Sequence, residues 1–397
     1  MKKIELLAPA GNLEKCKIAI LYGADAVYIG GKNFSLRARA SNFSYEDIKE
    51  ACRFAHNHGA KIYVTMNIVP HHEDFVQLEP YLLFLEEAGV NAIICSSVYL
   101  IDLAKKITHR MEVHLSTQLS IANSEACNFF YNKGIERIVL ARELSLDQIS
   151  QIRKRTAVGL EVFIHGGMCS SLSGRCVLSN HMVNRDANRG GCAHSCRWNY
   201  RLKDEQDKEV LPGRMLNIGS KDLMALHAVP VLMDIGIDSL KIEGRMKSDY
   251  YLATVIKCYR ELIDTYAAGK EINYQRLEEE IAKAENRETA TGFLFHEVGI
   301  EEQVYGSDSH PTKEFVGMVL DYDEQTKLTR IEQRNYFKPG DKLEFFGPQL
   351  PNTQWIVDCI WDEERNILDA ARHPKQKILL KLPFRVQPKD MIRLVLK

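Results

Sequence analysis

The chain has 397 residues, 45% hydrophobic and 26% charged, with ten cysteines and a formal net charge of −1. This is an ordinary globular composition, long enough for one large domain plus a small one, and its overall charge signals no nucleic-acid partner. No apolar run approaches the roughly 18 residues of a membrane span, and Glu5, Pro9 and Glu14 interrupt any signal-peptide core at the start. A cytoplasmic protein without a membrane partner is therefore expected. In such a chain the cysteines argue for thiol or metal chemistry rather than a disulfide framework.

In chain order, short β-branched apolar runs alternate with longer amphipathic stretches. The strand-like runs are 4–8, 26–30, 61–67, 92–96, 112–118, 137–141, 159–165 and 239–243. Between them lie helical patterns such as YEDIKEACRFAHNHGA, opened by Ser44 as N-cap and closed by Gly59. Eight strands with intervening helices predict an α/β fold, a TIM-like (β/α)8 barrel. A doubly wound open sheet is the alternative, but Gly30-Gly31-Lys32 lacks the Gly-x-Gly-x-x-Gly spacing. Cys16, Cys52, Cys127 and Cys258 fall in helical patterns and read as small core residues.

The seventh and eighth strands are separated by far more chain than the others. That gap carries Cys169, Cys176, Cys192 and Cys196 at Cys-x6-Cys-x15-Cys-x3-Cys spacing, among glycines and arginines. Four thiolates can converge on one centre if the segment folds back on itself. Structural zinc sites favour two short knuckles, and only Cys192–Cys196 looks like one. Iron–sulfur clusters take four thiolates at irregular spacings and are the leading reading, with zinc, disulfides or free thiols as alternatives. His194 reads as a solvated loop residue. An insertion leaving the C-terminal end of a barrel strand lands on the catalytic face.

Polar residues collect at the expected strand ends: Asn67, Ser96, His114 with Gln118, Arg142, Glu161 with His165, and the Lys241–Arg245 run. Residues 1–270 are read as the barrel with its insertion at 166–215, 271–311 as a helical connector, and 312–397 as a small β-barrel domain of short alternating strands. Turn signals such as Lys338-Pro339-Gly340-Asp341 separate those strands. Cations crowd the last segment from Arg372 to Lys397, and Arg175, Arg185, Arg189, Arg197 and Arg201 surround the cysteines. Such local positive fields suit phosphate.

The run EVFIHGGMC ending at Cys169, followed by SGRC at Cys176, resembles the signature of peptidase family U32, the collagenase-like proteins. LLAPAGNLEKCKIAILYGADAVYIGG, NRGGCAHSCRW and SLKIEGRMKSDYYLATVIKCYR are similar to further stretches of that family. The resemblance implies one of two activities. One is a peptidase of unassigned catalytic type. The other is oxygen-independent hydroxylation by a protein carrying a four-iron four-sulfur (4Fe-4S) cluster. The single-barrel layout is similar to the branch that converts the wobble uridine of tRNA to 5-hydroxyuridine with prephenate as hydroxyl source.

A peptidase needs an activated nucleophile or a metal-bound water. His296-Glu297 begins like a zinc-protease helix, but Ile300 stands where the second histidine belongs, and no Gly-x-Ser-x-Gly elbow occurs. Hydroxylation is therefore the favoured reading, with a peptidase or an iron–sulfur scaffold as alternatives. Prephenate carries two carboxylates, for which Arg37, Arg39, Arg142 and Arg245 are candidate clamps. His165, Glu161 and Glu243 are candidate proton-transfer groups. Trp198 or Tyr200 could stack on a base of the tRNA. Family members that work as pairs imply a partner subunit or a homo-oligomer.

Overall fold

A computed structural model describes residues 3–32, 34–36, 42–210, 212–213, 215–284, 287–296, 299 and 315–395. Its centre is a closed parallel barrel. Strands β1 (Glu5–Pro9), β2 (Ala26–Gly30), β3 (Lys61–Met66), β4 (Ala92–Cys95), β5 (Glu112–Leu115), β6 (Arg137–Val139) and β7 (Gly159–Gly166) pair in sequence order. After a short strand β8 (Asp222–Met224), strand β9 (Ser239–Ile242) closes the ring by pairing parallel to both β7 and β1. These eight parallel strands are the eight that alternation implies. β8 is an addition, antiparallel to the end of β7, and it pairs in turn with β10 (Thr289–Ala290).

Helices α1 (Leu13–Leu21), α2 (Tyr45–Asn57), α3 (Phe75–Glu87), α4 (Val98–Ile107), α5 (Ser124–Tyr131) and α6 (Leu146–Arg153) each follow their strand. Ser44 caps α2 in a reciprocal capping box with Asp47, and Gly59 beyond its end takes a φ of +71°. Cys16, Cys52, Cys127 and Cys258 are buried core residues, as their helical spacing implies. Among its described residues the long insertion holds one short α-helix, α7 (Leu178–Val183), and three 3-10 turns. It then leads through α8 (Val229–Ile235) to β9, α9 (Asp249–Ala267) and α10 (Tyr274–Ala282).

The C-terminal domain is an eight-stranded antiparallel sheet. Its strands are β11 (Phe315–Tyr322), β12 (Leu328–Gln333), β13 (Lys342–Phe346), β14 (Thr353–Ile356), β15 (Ile360–Trp361), β16 (Ile367–Leu368), β17 (Lys377–Lys381) and β18 (Met391–Leu394), enclosing their own apolar core. It docks against α1, α9 and α10. Tyr22 donates to the Lys389 carbonyl at 2.9 Å, Tyr250 stacks on Phe315, and Arg393 reaches Glu280 at 2.7 Å. Sandwiched between barrel and sheet, α9 buries residues around its whole circumference.

The docking changes the reading of the basic C-terminal run. Arg393 is buried on Glu280 and Glu344, Lys389 pairs with Glu14, Arg385 with Glu324 and Arg372 with Asp369. Those four cations are committed to carboxylates rather than to a shared phosphate-binding face. Lys375, Lys377 and Lys381 stay exposed.

Candidate functional site

The barrel interior is only half apolar. Leu7, Ala26, Tyr28, Tyr63, Ala92 and Ile94 form its apolar side. Opposite them, Glu161 is fully buried between Lys241 at 2.6 Å and Arg137 at 3.3 Å. Arg137 also pairs with Glu5 at 2.5 Å, and Glu5 accepts from Tyr63 at 2.6 Å and Ser239 at 2.9 Å. Glu5, Arg137 and Ser239 open their strands, which puts this network toward the N-terminal end of the barrel. Burial alone would raise the Glu161 carboxyl, but Lys241 and Arg137 outweigh it and hold the group below the usual carboxylate range. A carboxylate so enclosed is a structural anion, and its geometry argues against the proton-transfer role considered from sequence.

His165 also lies away from the mouth. A register irregularity in β7 between Phe163 and His165 turns it outward against α9. There its Nδ1 sits 3.2 Å from the Tyr259 hydroxyl, between the rings of Tyr251 and Tyr259.

Glu243 and Arg245 do reach the C-terminal mouth. Glu243 accepts from the Tyr28 hydroxyl at 2.8 Å. The buried Arg245 guanidinium donates from Nη1 to Ser35 Oγ and Thr65 Oγ1, each at 2.8 Å. Gly30 makes this placement physically achievable, because a Cβ there would lie 2.3 Å from that same nitrogen. Arg142 is half-buried, donates to the Gly167 carbonyl at 2.7 Å and covers the Phe163 ring at 3.8 Å. Arg37 and Arg39 lie outside the described residues, as do Glu297 and Ile300 of the zinc-protease-like stretch.

Hydrogen bonds rather than an apolar core hold the cysteine loop together. Asn188 brackets the Cys176 backbone from both sides, the Leu178 N–H donates to the Cys176 sulfur at 3.3 Å, and Ser179 Oγ accepts from Ala193 at 3.0 Å. Arg185 donates to the Cys192 carbonyl and Ile218 N–H to the Cys196 carbonyl. Ser173, Asn184 and His194 adopt left-handed backbone to make the turns, and His194 is exposed as expected.

All four loop cysteines are free thiols. Burial pushes the Cys196 thiol upward, a Ser170 hydrogen bond opposes it, and the neighbouring Cys169 and Cys192 thiols add to the rise. Among the described residues, no three His, Cys, Asp or Glu side chains are gathered closely enough to hold a metal ion. The donor chemistry thus fits a thiolate-bound cluster, while the side chains are not drawn together as a ligand shell.

Of the surrounding arginines, Arg189 pairs with Asp74, Arg201 with Glu209, and Arg197 with Asp222. Arg175 is exposed. Trp198 is exposed, whereas the Tyr200 hydroxyl is tied to the Ser195 carbonyl at 2.5 Å. Sequence reasoning passed over Tyr28, Ser35, Thr65 and Gly30, which set the mouth arginine and carboxylate. Their signal was faint: a glycine, two hydroxyls and an aromatic inside or just after apolar strands.

These features define a (β/α)8 protein whose arginines, carboxylate and cysteine loop lie on the C-terminal face, where barrel enzymes do their chemistry. Residues 11–303 match the profile of Peptidase family U32 and residues 311–393 that of the Peptidase family U32 C-terminal domain, so the chain belongs to this family. It is 48% identical over 400 residues to tRNA hydroxylation protein P1 of Bacillus subtilis, covering 99% of this chain and 95% of that protein. It is 34% identical to a protein of Porphyromonas gingivalis named collagenase, over 98% and 97% of the two chains. With the 23S rRNA 5-hydroxycytidine C2501 synthase of Escherichia coli it shares 40% identity over 262 residues, 66% of this chain and 39% of that one.

Proposed function

We propose that this protein hydroxylates the wobble uridine of tRNA to 5-hydroxyuridine without dioxygen, using prephenate as hydroxyl donor and a 4Fe-4S cluster on Cys169, Cys176, Cys192 and Cys196. The observation that carries the reading is the 48% identity, over nearly the whole of both chains, to a tRNA hydroxylation protein. The RNA-hydroxylating relative from Escherichia coli supports the same chemistry on a pyrimidine. The name collagenase on a relative of equal span keeps the peptidase as the rival. Against it stands the sequence, which has neither a complete zinc-protease motif nor a nucleophile elbow.

In this reading Arg142 and Arg245 take the donor's carboxylates, since guanidinium forks match carboxylate geometry. Glu243, oriented by Tyr28, is the carboxylate placed to move a proton at the mouth. A bound cluster supplies one-electron transfer through its thiolate-held irons. Trp198 is accessible to stack on an RNA base, and exposed cations such as Arg175 meet phosphates.

The test is nucleoside mass spectrometry of total tRNA from a strain lacking this gene and any second enzyme for the site. The strain is complemented with the wild-type chain or with Cys176→Ala. Restoration of 5-hydroxyuridine by the wild type alone supports the reading. No restoration by the wild type, together with collagen cleavage by the purified protein, supports the peptidase instead.

A further inference from the structure

A cavity at the edge of the cysteine loop differs in charge from the barrel mouth. It is a half-open cleft of about 330 Å³, and its wall includes Glu143, Cys169, Ser170, Ser171, Ser220 and Phe293. That volume suits a small ligand. Among the described residues no lysine, arginine or histidine lines it.

Glu143 is held in place by Ser173, whose N–H donates to one carboxylate oxygen at 2.7 Å and whose hydroxyl donates to the other at 3.0 Å. Each oxygen keeps lone pairs for a further donor. Phe293 also borders the small void beside Arg142 and Phe163, so one side chain separates this cavity from a mouth arginine. A dicarboxylate entering the cavity would meet a fixed negative charge with no cation among the described lining residues. An uncharged heterocycle would meet an aromatic face, serine hydroxyls and a carboxylate acceptor.

We propose that this cavity receives the flipped uracil base, with Phe293 against its face and Glu143 accepting the imide N3–H. The donor's carboxylates then go to the arginines of the mouth. The assignment rests on the tRNA-hydroxylation reading and places one of its substrates. Enzymes that modify a base read the extruded base by its Watson–Crick edge and by stacking. Uracil offers an N–H at position 3, whereas cytosine presents a lone pair there, which a carboxylate repels. Glu143 is therefore a specificity-determining residue.

The test uses the full chain, purified anaerobically, and anticodon stem–loop RNAs carrying uridine, cytidine or an abasic site at the wobble position. Binding is followed by fluorescence anisotropy and the Michaelis constant for prephenate is measured in parallel. The wild type is expected to prefer the uridine loop to the abasic loop by roughly tenfold, the scale of one base stack. Phe293→Leu should erase most of that preference. Glu143→Gln, which can keep both Ser173 contacts, should shrink the uridine-over-cytidine ratio by roughly tenfold, the scale of one hydrogen bond to a charged group.

Neither variant should change abasic-loop affinity or the Michaelis constant for prephenate. A wild type that discriminates and hydroxylates, with both variants retaining full discrimination or raising the prephenate constant instead, overturns the cavity assignment alone. A wild type that binds all three loops alike and forms no 5-hydroxyuridine overturns the assignment and the tRNA reading together.

Discussion

Replacing Lys241 by Met tests whether Glu161 is a structural anion. Lys241 is 4% exposed and Glu161 fully buried, with Nζ and Oε1 2.6 Å apart. Removing one partner of a buried pair costs about 3–5 kcal/mol, because the other charge is left desolvated. Arg137 stays 3.3 Å from Glu161 but is shared with Glu5, so the lower end, about 3 kcal/mol, is expected. At about 2 °C per kcal/mol for a chain this large, the melting temperature should fall by about 6 °C.

The loss should depend on pH. Glu161 is depressed in the folded state, so its contribution is complete above the unfolded carboxylate pKa and is lost as pH falls through the folded value. The gap between wild type and Lys241→Met should therefore be full at neutral pH and shrink in acid. Lys241→Met combined with Glu161→Leu should recover much of the loss, since apolar replacement of both partners is tolerated far better than removal of one. Urea unfolding followed by circular dichroism reads both. A single variant within about 1 kcal/mol of wild type, or a double variant whose losses simply add, would refute the structural assignment.

Three further outcomes follow from the packing. Gly30→Ala drives a methyl into the Arg245 guanidinium; it should cost about 1–3 kcal/mol of stability and raise the Michaelis constant for prephenate roughly tenfold, and an unchanged constant in steady-state assays would remove Arg245 from the donor site. Burial pushes the Asp390 carboxyl up to about 6, so this group's stabilising contribution is present below the unfolded value and lost as pH rises through 6. Asp390→Asn, which keeps an acceptor for the Gln387 N–H, should then raise stability by roughly 2–3 kcal/mol at pH 8 and leave it unchanged at pH 4, as read by denaturation at the two pH values. Arg393→Met leaves Glu280 and Glu344 at the domain interface with Lys283 as their remaining cation, so the lower end of the buried-pair range, about 3 kcal/mol in urea unfolding, is expected; a loss under about 1 kcal/mol would show that apolar contacts alone hold the domains.

The barrel was legible because its cause is local. The barrel strands are short and buried on both faces, and most helices, α3, α7 and α8 apart, carry a side-chain N-cap, so periodicity identifies them without tertiary information. The C-terminal sheet was legible only where strands run for five residues or more, as β11, β12, β13 and β17 do. The two-residue strands β15 and β16 leave no period to detect.

Side-chain direction is where sequence reasoning lost resolution. Glu161 and His165 sit on one strand, four residues apart, and simple alternation puts both on the inner face. The irregularity after Phe163 breaks that alternation, which sends His165 to α9 while Glu161 stays among the interior charges. Lys241 and Glu243, two apart on an uninterrupted stretch, keep the alternation, and both point inward, one to Glu161 and one to Tyr28.

The charges inside the barrel follow from the same geometry. Glu5, Arg137, Glu161 and Lys241 come from four strands; Arg137 and Glu161 lie on consecutive ones, whereas Glu5 and Lys241 come from the first and last strands of the ring. In one dimension each reads as an isolated polar residue in a strand; the pairing of β6 with β7 brings Arg137 to Glu161, and ring closure by β9 between β7 and β1 brings in Lys241 and Glu5. A network assembled by closure fixes the orientation of Lys241 beneath the mouth, and Lys241 in turn covers the Tyr28 ring at 4.6 Å. The tyrosine that orients Glu243 is thereby positioned from below by the buried ion pairs. A lesion in the network such as Lys241→Met should consequently disturb the mouth without touching a residue that meets substrate.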